Sequence, residues 1–365
     1  MADNFVGRKD ELAWLSANLS NLQHTVLIAP PNYGKKSMVM SAFIHLQKEM
    51  VCRYGTLDLF NVRDQASFYT ELANVLFNAV CATSDEWAST AQQLCVRTQP
   101  QVSVDDSRQN EIRLLFDEDR LMLHADEILN LPEMLADVKN IRLFVCVNEF
   151  QDIDFFEDAP AFQKKLAAAW KAHQKVCYLI SGSRKNAMNA MFAAKMPFYN
   201  FGEIIPIEPL NEKLTVDYII KSYSKSGRVI TKDFAEQICR TTGGYPYYVQ
   251  QLSHLSWLNT RGFVNDTVMR KSEEDLYDHN QRVFKMTVDT LSTSQVNYIR
   301  AVIDGIDRFS SAESLAAYKL HSSANIARVR EALEKKEVLE FLKNNKPVFL
   351  DPVFELWFRR RYMHK

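Results

Sequence analysis

The chain has 365 residues, 47% of them hydrophobic and 24% charged, with few glycines and prolines, which is the composition of an ordinary globular protein. That length accommodates two or three domains, each with a core of its own. A formal net charge of -1 excludes a global pull towards nucleic acid or anionic lipid, so any such contact needs a local patch.

Six cysteines (Cys52, Cys81, Cys95, Cys146, Cys177 and Cys239) lie scattered without a C-x-x-C pair, so neither a metal site nor a redox motif is expected. Several stand in apolar runs such as LFVCVNEF and KVCYLIS, where a reduced thiol packs as a small hydrophobe. The text MADNFVGRKDEL is charged and has no apolar h-region, and no apolar run approaches the ~20 residues needed to span a bilayer. A reduced, cytoplasmic setting is the expectation.

In chain order, FVGRKDELAWL starts at the turn-forming Gly7 and continues as a short helix, with Leu12, Leu15 and Leu19 on one face and Asp10 and Glu11 near its positive end. His24 to Ala29 reads as a buried parallel strand. It enters the loop APPNYGKKS, which follows the phosphate-loop pattern G-x-x-x-x-G-K-[ST] with substitutions: Ala29 in place of the first Gly, then Gly34, Lys35, and Lys36 where a hydroxyl belongs. Pro30 and Pro31 stiffen the loop, and Gly34 gives its amides the freedom to close on a phosphate. Helix Lys35 to Lys48 follows with its N-terminal N–H groups aimed at the loop, the arrangement that binds anions.

Tyr54 to Phe60 predicts a second strand, and Gln65 to Val80 an amphipathic helix carrying Phe68, Leu72, Val75 and Leu76. Between about residues 83 and 120 the pattern weakens to a β-hairpin or irregular insert around VRTQPQVSV and IRLLFDED. Helix Ala125 to Val138 leads to the strongly apolar strand Ile141 to Val147, which ends in Asn148, Glu149, Phe150 and Gln151. A Walker B strand ends in an Asp that helps to hold Mg²⁺, often followed by a Glu that activates water. Here the Glu is Glu149 and the Asp is replaced by Asn148. Helix Pro160 to His173 and strand Val176 to Ile180 come next, and the strand runs into Ser181, Gly182, Ser183 and Arg184.

Strands alternating with helices at this spacing predict a doubly wound parallel sheet, whose ligands gather at the carboxyl ends of the strands. Ala29, Asn148 and Gly182 all fall at such ends. From Asn211 to about Arg282 the chain reads as a helical, lid-like bundle interrupted by Gly243, Gly244 and Pro246. Three helical stretches, Thr293 to Ile303, Ser311 to Tyr318 and Ser323 to Lys335, then precede strand candidates Leu339 to Leu342 and Val348 to Leu350, the order of a winged helix. The fold class is therefore α/β: a P-loop NTPase parallel sheet with flanking helices over 1–210, a helical lid over 211–284 and a C-terminal winged helix over 285–365. The third helix of the last segment carries mixed charges, which suit a solvated face as readily as DNA contact.

Taken together, FVGRKDEL, APPNYGKKS, LNLPEMLADVKNIRLFVCVNEFQDI, SGSRKNAM, MPFYNFGE, GGYPYYVQQL and DPVFELWFRRRY resemble, in that order, the archaeal-type ATPases of the signal-transduction branch of AAA-related P-loop proteins, especially their Bacteroides-like members. The resemblance covers nearly the whole chain and implies ATP or ADP as the ligand. It places Val6, Gly7 and Arg8 in a box beside the adenine and Pro246 on the lid near the base. Pro31, Asn32, Tyr33, Gly34, Lys35, Lys36 and Ser37 become the phosphate-loop set. Glu149 matches the acidic residue after the Walker B aspartate, and Arg184 a post-strand arginine that senses the γ-phosphate.

The departures from that family fall on the catalytic shell. Its loop Gly, Arg and Thr or Ser are Ala29, Asn32 and Lys36 here; its Walker B Asp is Asn148; and its basic-histidine run is Arg184, Lys185, Asn186. Lys36 and Asn148 remove both protein groups that hold magnesium, an ion that prefers octahedral oxygen ligands. Magnesium binding is expected to be weak or absent, and no metal ligand is assigned. Lys36 adds positive charge in its place, and one unit charge about 4 Å from a phosphate oxygen at an effective dielectric of ~20 is worth on the order of 4 kcal/mol.

Three functions fit this text. The first is a nucleotide-dependent switch or scaffold with weak or no hydrolysis, Lys36 taking over part of the cation's role. The second is an active Mg²⁺-dependent ATPase that relies on Lys35, Glu149, Arg184 and Ser37, although successive helical side chains diverge by about 100° and turn Ser37 away. The third is a scaffold with an empty nucleotide site whose winged helix meets DNA or a protein partner, with Arg359, Arg360 and Arg361 as the candidate basic patch. In that last stretch Phe354, Trp357 and Phe358 are expected to close the core and leave the arginines solvated.

Overall fold

A computed structural model describes residues 7–105, 111–342 and 344–363. The chain divides into two compact units: Lys9–Pro31 with Lys35–Ile207, and the described parts of Met1–Arg8, Asn32–Gly34 and Glu208–Lys365.

In the first unit, helix α1 (Lys9–Ser20) leads into strand β1 (Thr25–Ile28) and helix α2 (Lys35–Glu49), followed by β2 (Cys52–Asp58) and α3 (Gln65–Val80). Helix α4 (Ser84–Leu94), strands β3 (Gln101–Asp105) and β4 (Glu111–Leu115), and helix α5 (Glu118–Leu123) form the insert. The sheet resumes through α6 (Ala125–Lys139), β5 (Arg142–Asn148), α7 (Ala159–Ala172), β6 (Val176–Gly182), α8 (Lys185–Met191) and β7 (Glu203–Pro206).

The five strands β2, β5, β6, β1 and β7 lie side by side in that order, all parallel. Strands buried on both faces must be apolar throughout, and β6 (VCYLISG) and β5 beyond Arg142 are fully buried. Alternate residues of β5 serve opposite faces. Leu143, Val145 and Val147 join a core with Phe68, Leu72, Ile128, Leu135, Leu166 and Trp170 of α3, α6 and α7. Phe144 packs edge-on against Phe43 of α2, with ring centroids 5.4 Å apart. Trp170 stacks on Tyr178 at 4.2 Å, which ties α7 to the central strand.

Three local features differ from the sequence reading. β2 ends at Asp58 rather than Phe60, because the Asp58 carboxylate accepts from the Phe60 amide and turns the chain into a 3-10 helix, Leu59–Asn61. The insert holds the expected hairpin, with Val102 opposite Leu114, and also two helices. Of these, α4 is anchored by Trp87, Ala91 and Leu94 in the core. The third is β7, a short edge strand that the sequence pattern does not signal.

In the other unit, α9 (Glu212–Lys225), α10 (Lys232–Thr242), α11 (Pro246–Asn259) and the long α12 (Asp266–Asp289) form the helical bundle. α12 is unbroken through position 284, so bundle and C-terminal segment share a helix. Helices α13 (Thr293–Ile303), α14 (Ala312–Ala317) and α15 (Ser323–Lys335) precede the antiparallel hairpin β8 (Leu339–Phe341) and β9 (Pro347–Phe349), and α16 (Pro352–Trp357) closes the chain with a π-type turn, Phe358–Tyr362. Phe354 and Trp357 pack against Phe284 of α12, with centroids 5.6 and 5.4 Å away.

All six cysteines are free and buried. Among the described residues no helix is long and apolar enough to cross a membrane.

The entry to β7 is where a small residue is needed. A Cβ at Gly202 would stand 2.6 Å from the carbonyl oxygen of His24, the same oxygen that accepts from the Glu203 amide at 2.9 Å and sets the β1–β7 register. Gly202→Ala is therefore expected to lower unfolding free energy by about 1–3 kcal/mol, the usual range for overpacking. Urea unfolding measures it, and an unchanged midpoint would contradict the close approach.

Candidate functional site

The carboxyl ends of the parallel strands bring three stretches of the first unit together: the start of the loop after β1, the Asn148–Asp152 segment after β5, and Ser181–Arg184 at the end of β6. β6 lies between the other two strands, with Val26 and Ile28 of β1 level with Ile180 and Gly182, and Val147 of β5 also level with Ile180. Ala29 continues the pairing by donating its amide to the Gly182 carbonyl at 3.4 Å.

Lys35 opens α2 and is buried. Its ammonium donates to the carbonyl oxygens of Ala29 at 2.6 Å and Pro30 at 3.0 Å. Burial pushes its pKa down to about 8; the Glu149 carboxylate works to raise it, and neighbouring Lys36 lowers it further. This is a cation held on neutral dipoles in a desolvated place, where an anion would be a stronger partner. The first amides of a helix have no intrahelical acceptor, and α2 begins at this same lysine. Gly34 has φ +85°, with open space where a Cβ would be, and Asn32 has φ +61°. Chemically, a helix start, a desolvated ammonium and a left-handed glycine fit a phosphate.

Lys36 and Ser37 are both exposed. The Lys36 ammonium lies 2.8 Å from an Asp58 carboxylate oxygen, with side chains 71% and 41% exposed respectively. Asp58, which the sequence reading did not single out, ends β2 directly beside Asn148 in the ladder. Asn148 is buried, and its side-chain oxygen accepts from the Ser181 hydroxyl at 2.8 Å.

Neither Lys36 nor Asn148 offers a free anionic oxygen: the one is an ammonium already paired with a carboxylate, the other a neutral amide whose oxygen is already engaged by a hydroxyl. A hard divalent cation wants several free, preferably anionic oxygens at about 2.1 Å.

Glu149 adopts the left-handed region at φ +53°, a conformation that costs a non-glycine residue on the order of 1–2 kcal/mol. Its carboxylate accepts from Gln151 Nε2 at 2.8 Å and from the Ser183 hydroxyl. The strain and both hydrogen bonds fix this carboxylate at the strand end. Arg184 makes an ion pair with Asp152 at 2.9 Å and lies over the Phe155 ring. Burial raises the Asp152 pKa, opposed by Arg184. Arg184 is thus engaged within its own unit.

In the other unit, Val6 falls outside the described residues. Gly7 approaches Leu210, and Arg8 donates to the Glu208 carbonyl at 2.5 Å with its guanidinium 5.9 Å from the Tyr33 ring. Tyr33 meets Tyr245 edge-on at 4.4 Å, immediately before the half-buried Pro246 at the start of α11. Pro31 is exposed in the sheet unit.

The C-terminal arginines are not merely solvated, as expected from sequence. Arg359 pairs with Glu355, Arg360 with Glu273 and Glu274, and Arg361 with Glu274 at 2.6 Å and Asp278 at 3.0 Å, so α12 supplies most of their counter-charge. On α15 Arg330 bonds the Asn345 side chain at 3.0 Å, and just beyond it Lys336 bonds the Thr290 carbonyl and Gln295.

No protein-family model matches this chain, and no curated protein does. Solved structures do. A Walker-type ATPase of Pyrococcus abyssi superposes with a TM-score of 0.68 at 14% identity, over 98% of this chain and 97% of that one. The fold is that of a P-loop ATPase. The Aeropyrum pernix ORC2 protein, solved as ADPNP-ADP complexes, gives 0.56 at 11% identity over 99% and 97% of the two chains. The Aeropyrum pernix ORC1 protein in complex with DNA gives 0.50 at 9% identity over 99% and 94%. In each case the likeness runs along nearly the whole length of both chains.

Lys35 is the group whose environment is most directly measurable. Its side-chain nitrogen, followed by NMR in the nucleotide-free protein, is expected to titrate near 8. Glu149→Gln removes the charge that raises it and should move the midpoint lower still. A midpoint at the ordinary lysine value in both proteins would contradict the desolvated geometry.

Proposed function

We propose that this chain is an ATP- or ADP-binding protein of the AAA-related signal-transduction ATPases that works as a nucleotide-dependent switch or scaffold, with weak or no hydrolysis. Its Bacteroides-like kinship belongs to the same proposal. The carrying observation is the pairing of Lys36 with Asp58 at 2.8 Å beside the amide Asn148, where a hydrolase of this fold keeps a hydroxyl and a carboxylate for magnesium.

In this reading the loop from Pro31 to Ser37 takes the phosphates. Gly34 and the α2 amides enclose them, Lys35 exchanges its carbonyl partners for phosphate oxygen, and Lys36 adds a second cation. Val6, Gly7, Arg8 and Pro246 belong beside the base. Glu149 is the remaining catalytic carboxylate and Arg184 the γ-phosphate sensor, which must leave Asp152 to act. An ammonium neutralises ground-state charge, but it does not bridge β- and γ-oxygens as phosphoryl transfer requires. Binding without turnover follows from that difference.

The rest of the chain is the responding part in this proposal. Residues 211–284 act as a lid and 285–365 as a winged helix that meets a partner. A protein partner is favoured over DNA, since Arg359, Arg360 and Arg361 are already neutralised by α12 and Glu355. Where DNA is bound, another surface carries it, and its affinity falls steeply with salt.

Calorimetric titration of ATP and ADP with EDTA present, repeated with Mg²⁺, tests the binding mode. The expected result is saturable binding in EDTA, within about threefold of the affinity in Mg²⁺, a difference of less than ~0.7 kcal/mol. Binding seen only with Mg²⁺ would remove the proposal.

A further inference from the structure

The two cations at the head of α2 are held differently. Lys35 is buried on neutral carbonyl oxygens, whereas Lys36 reaches across to a full negative charge at the end of β2. Asp58 is also positioned. One of its oxygens accepts from the Phe60 amide at 3.3 Å and the other from Lys36 at 2.8 Å. The pair is well exposed, so it is weak and reversible, and Asp58 lies level with Asn148, a neutral amide.

A polyphosphate entering the loop brings several negative charges to the start of α2. Lys36 cannot serve both Asp58 and a phosphate with the same hydrogens, and a carboxylate released beside a phosphate repels it.

We infer that Asp58 is an affinity-setting residue: it holds the Lys36 ammonium in the nucleotide-free protein and yields it to phosphate on binding, so that Asp58 and nucleotide compete for one cation. The inference rests on the nucleotide-binding reading and adds to it the residue that restrains binding. Such a handover keeps affinity moderate and lets nucleotide leave, as a switch requires.

The test is a double-mutant cycle read by calorimetry with ADP in EDTA at low salt, using wild type, Asp58→Asn, Lys36→Met and the double variant. Asn keeps an oxygen for the Phe60 amide, and Asp58→Ser serves as a second variant if Asn unfolds. Asp58→Asn is expected to tighten ADP binding about two- to fivefold, the factor released by an exposed ion pair. In the Lys36→Met background the same change should have less than about a 1.5-fold effect, and the gain should shrink at high salt, where exposed charges are screened.

Unchanged or weaker binding by both Asp58 variants overturns the inference. An equal gain in the Lys36→Met background does so too, because it assigns the effect to a general field. A loss confined to Mg²⁺ conditions would make Asp58 a metal ligand and equally overturn it. Wild type that binds in EDTA but is insensitive to Asp58 removes only the role of Asp58; no binding by any variant, with or without Mg²⁺, removes the nucleotide reading as well.

Discussion

The hydrogen-bonded ladder that holds β6 between β1 and β5 is the constraint from which the rest of the site follows. Parallel strands run the same way, so their carboxyl ends and the loops that leave them gather on one edge of the sheet. Register then fixes which residues face one another. Gly182 meets the end of β1, Ser181 reaches Asn148, and Asp58 is level with Asn148 on the far side. The three strand ends are far apart in sequence, and the ladder brings them together.

On that edge an ammonium, an amide and a carboxylate stand at neighbouring strand and helix ends: Lys36 pairs with Asp58, and Asp58 lies level with Asn148. Each group is satisfied: ammonium on carboxylate, and amide oxygen on the Ser181 hydroxyl. An unpaired amide oxygen at the buried Asn148 would cost about 1–3 kcal/mol. Beside them stand the buried Lys35 and the strained Glu149.

Much of this was legible in the sequence. Apolar runs of the right length gave β1, β5 and β6, and the loop glycine and lysine marked the start of α2, because a buried parallel sheet leaves strong periodic signals. The missed elements lacked them. β7 (EIIP) is four residues long at the sheet edge, where little burial is demanded. α4 (SDEWASTAQQL) is mostly polar on average, although Thr83 does cap it through the Glu86 amide, and that T-x-x-E spacing was a usable sign. Asp58 is hidden in the sequence because the apolar pattern runs on to Phe60, which puts it inside a strand rather than at its carboxyl end. The partners of Arg359, Arg360 and Arg361 were out of reach for another reason: most lie about 80 residues away on α12, and only packing brings them close.

The central claim is that the parts for gripping phosphate persist while those for holding magnesium do not. Steady-state ATP turnover with Mg²⁺, comparing wild type with Lys36→Thr plus Asn148→Asp, tests it most directly. Restoring a hydroxyl and a carboxylate should raise turnover at least about tenfold from a very low wild-type rate, since a bound metal contributes several kcal/mol to transition-state stabilisation. Wild type that already turns over ATP at an ordinary enzyme rate of about 1–10³ s⁻¹, with Glu149→Gln abolishing it, would contradict the account.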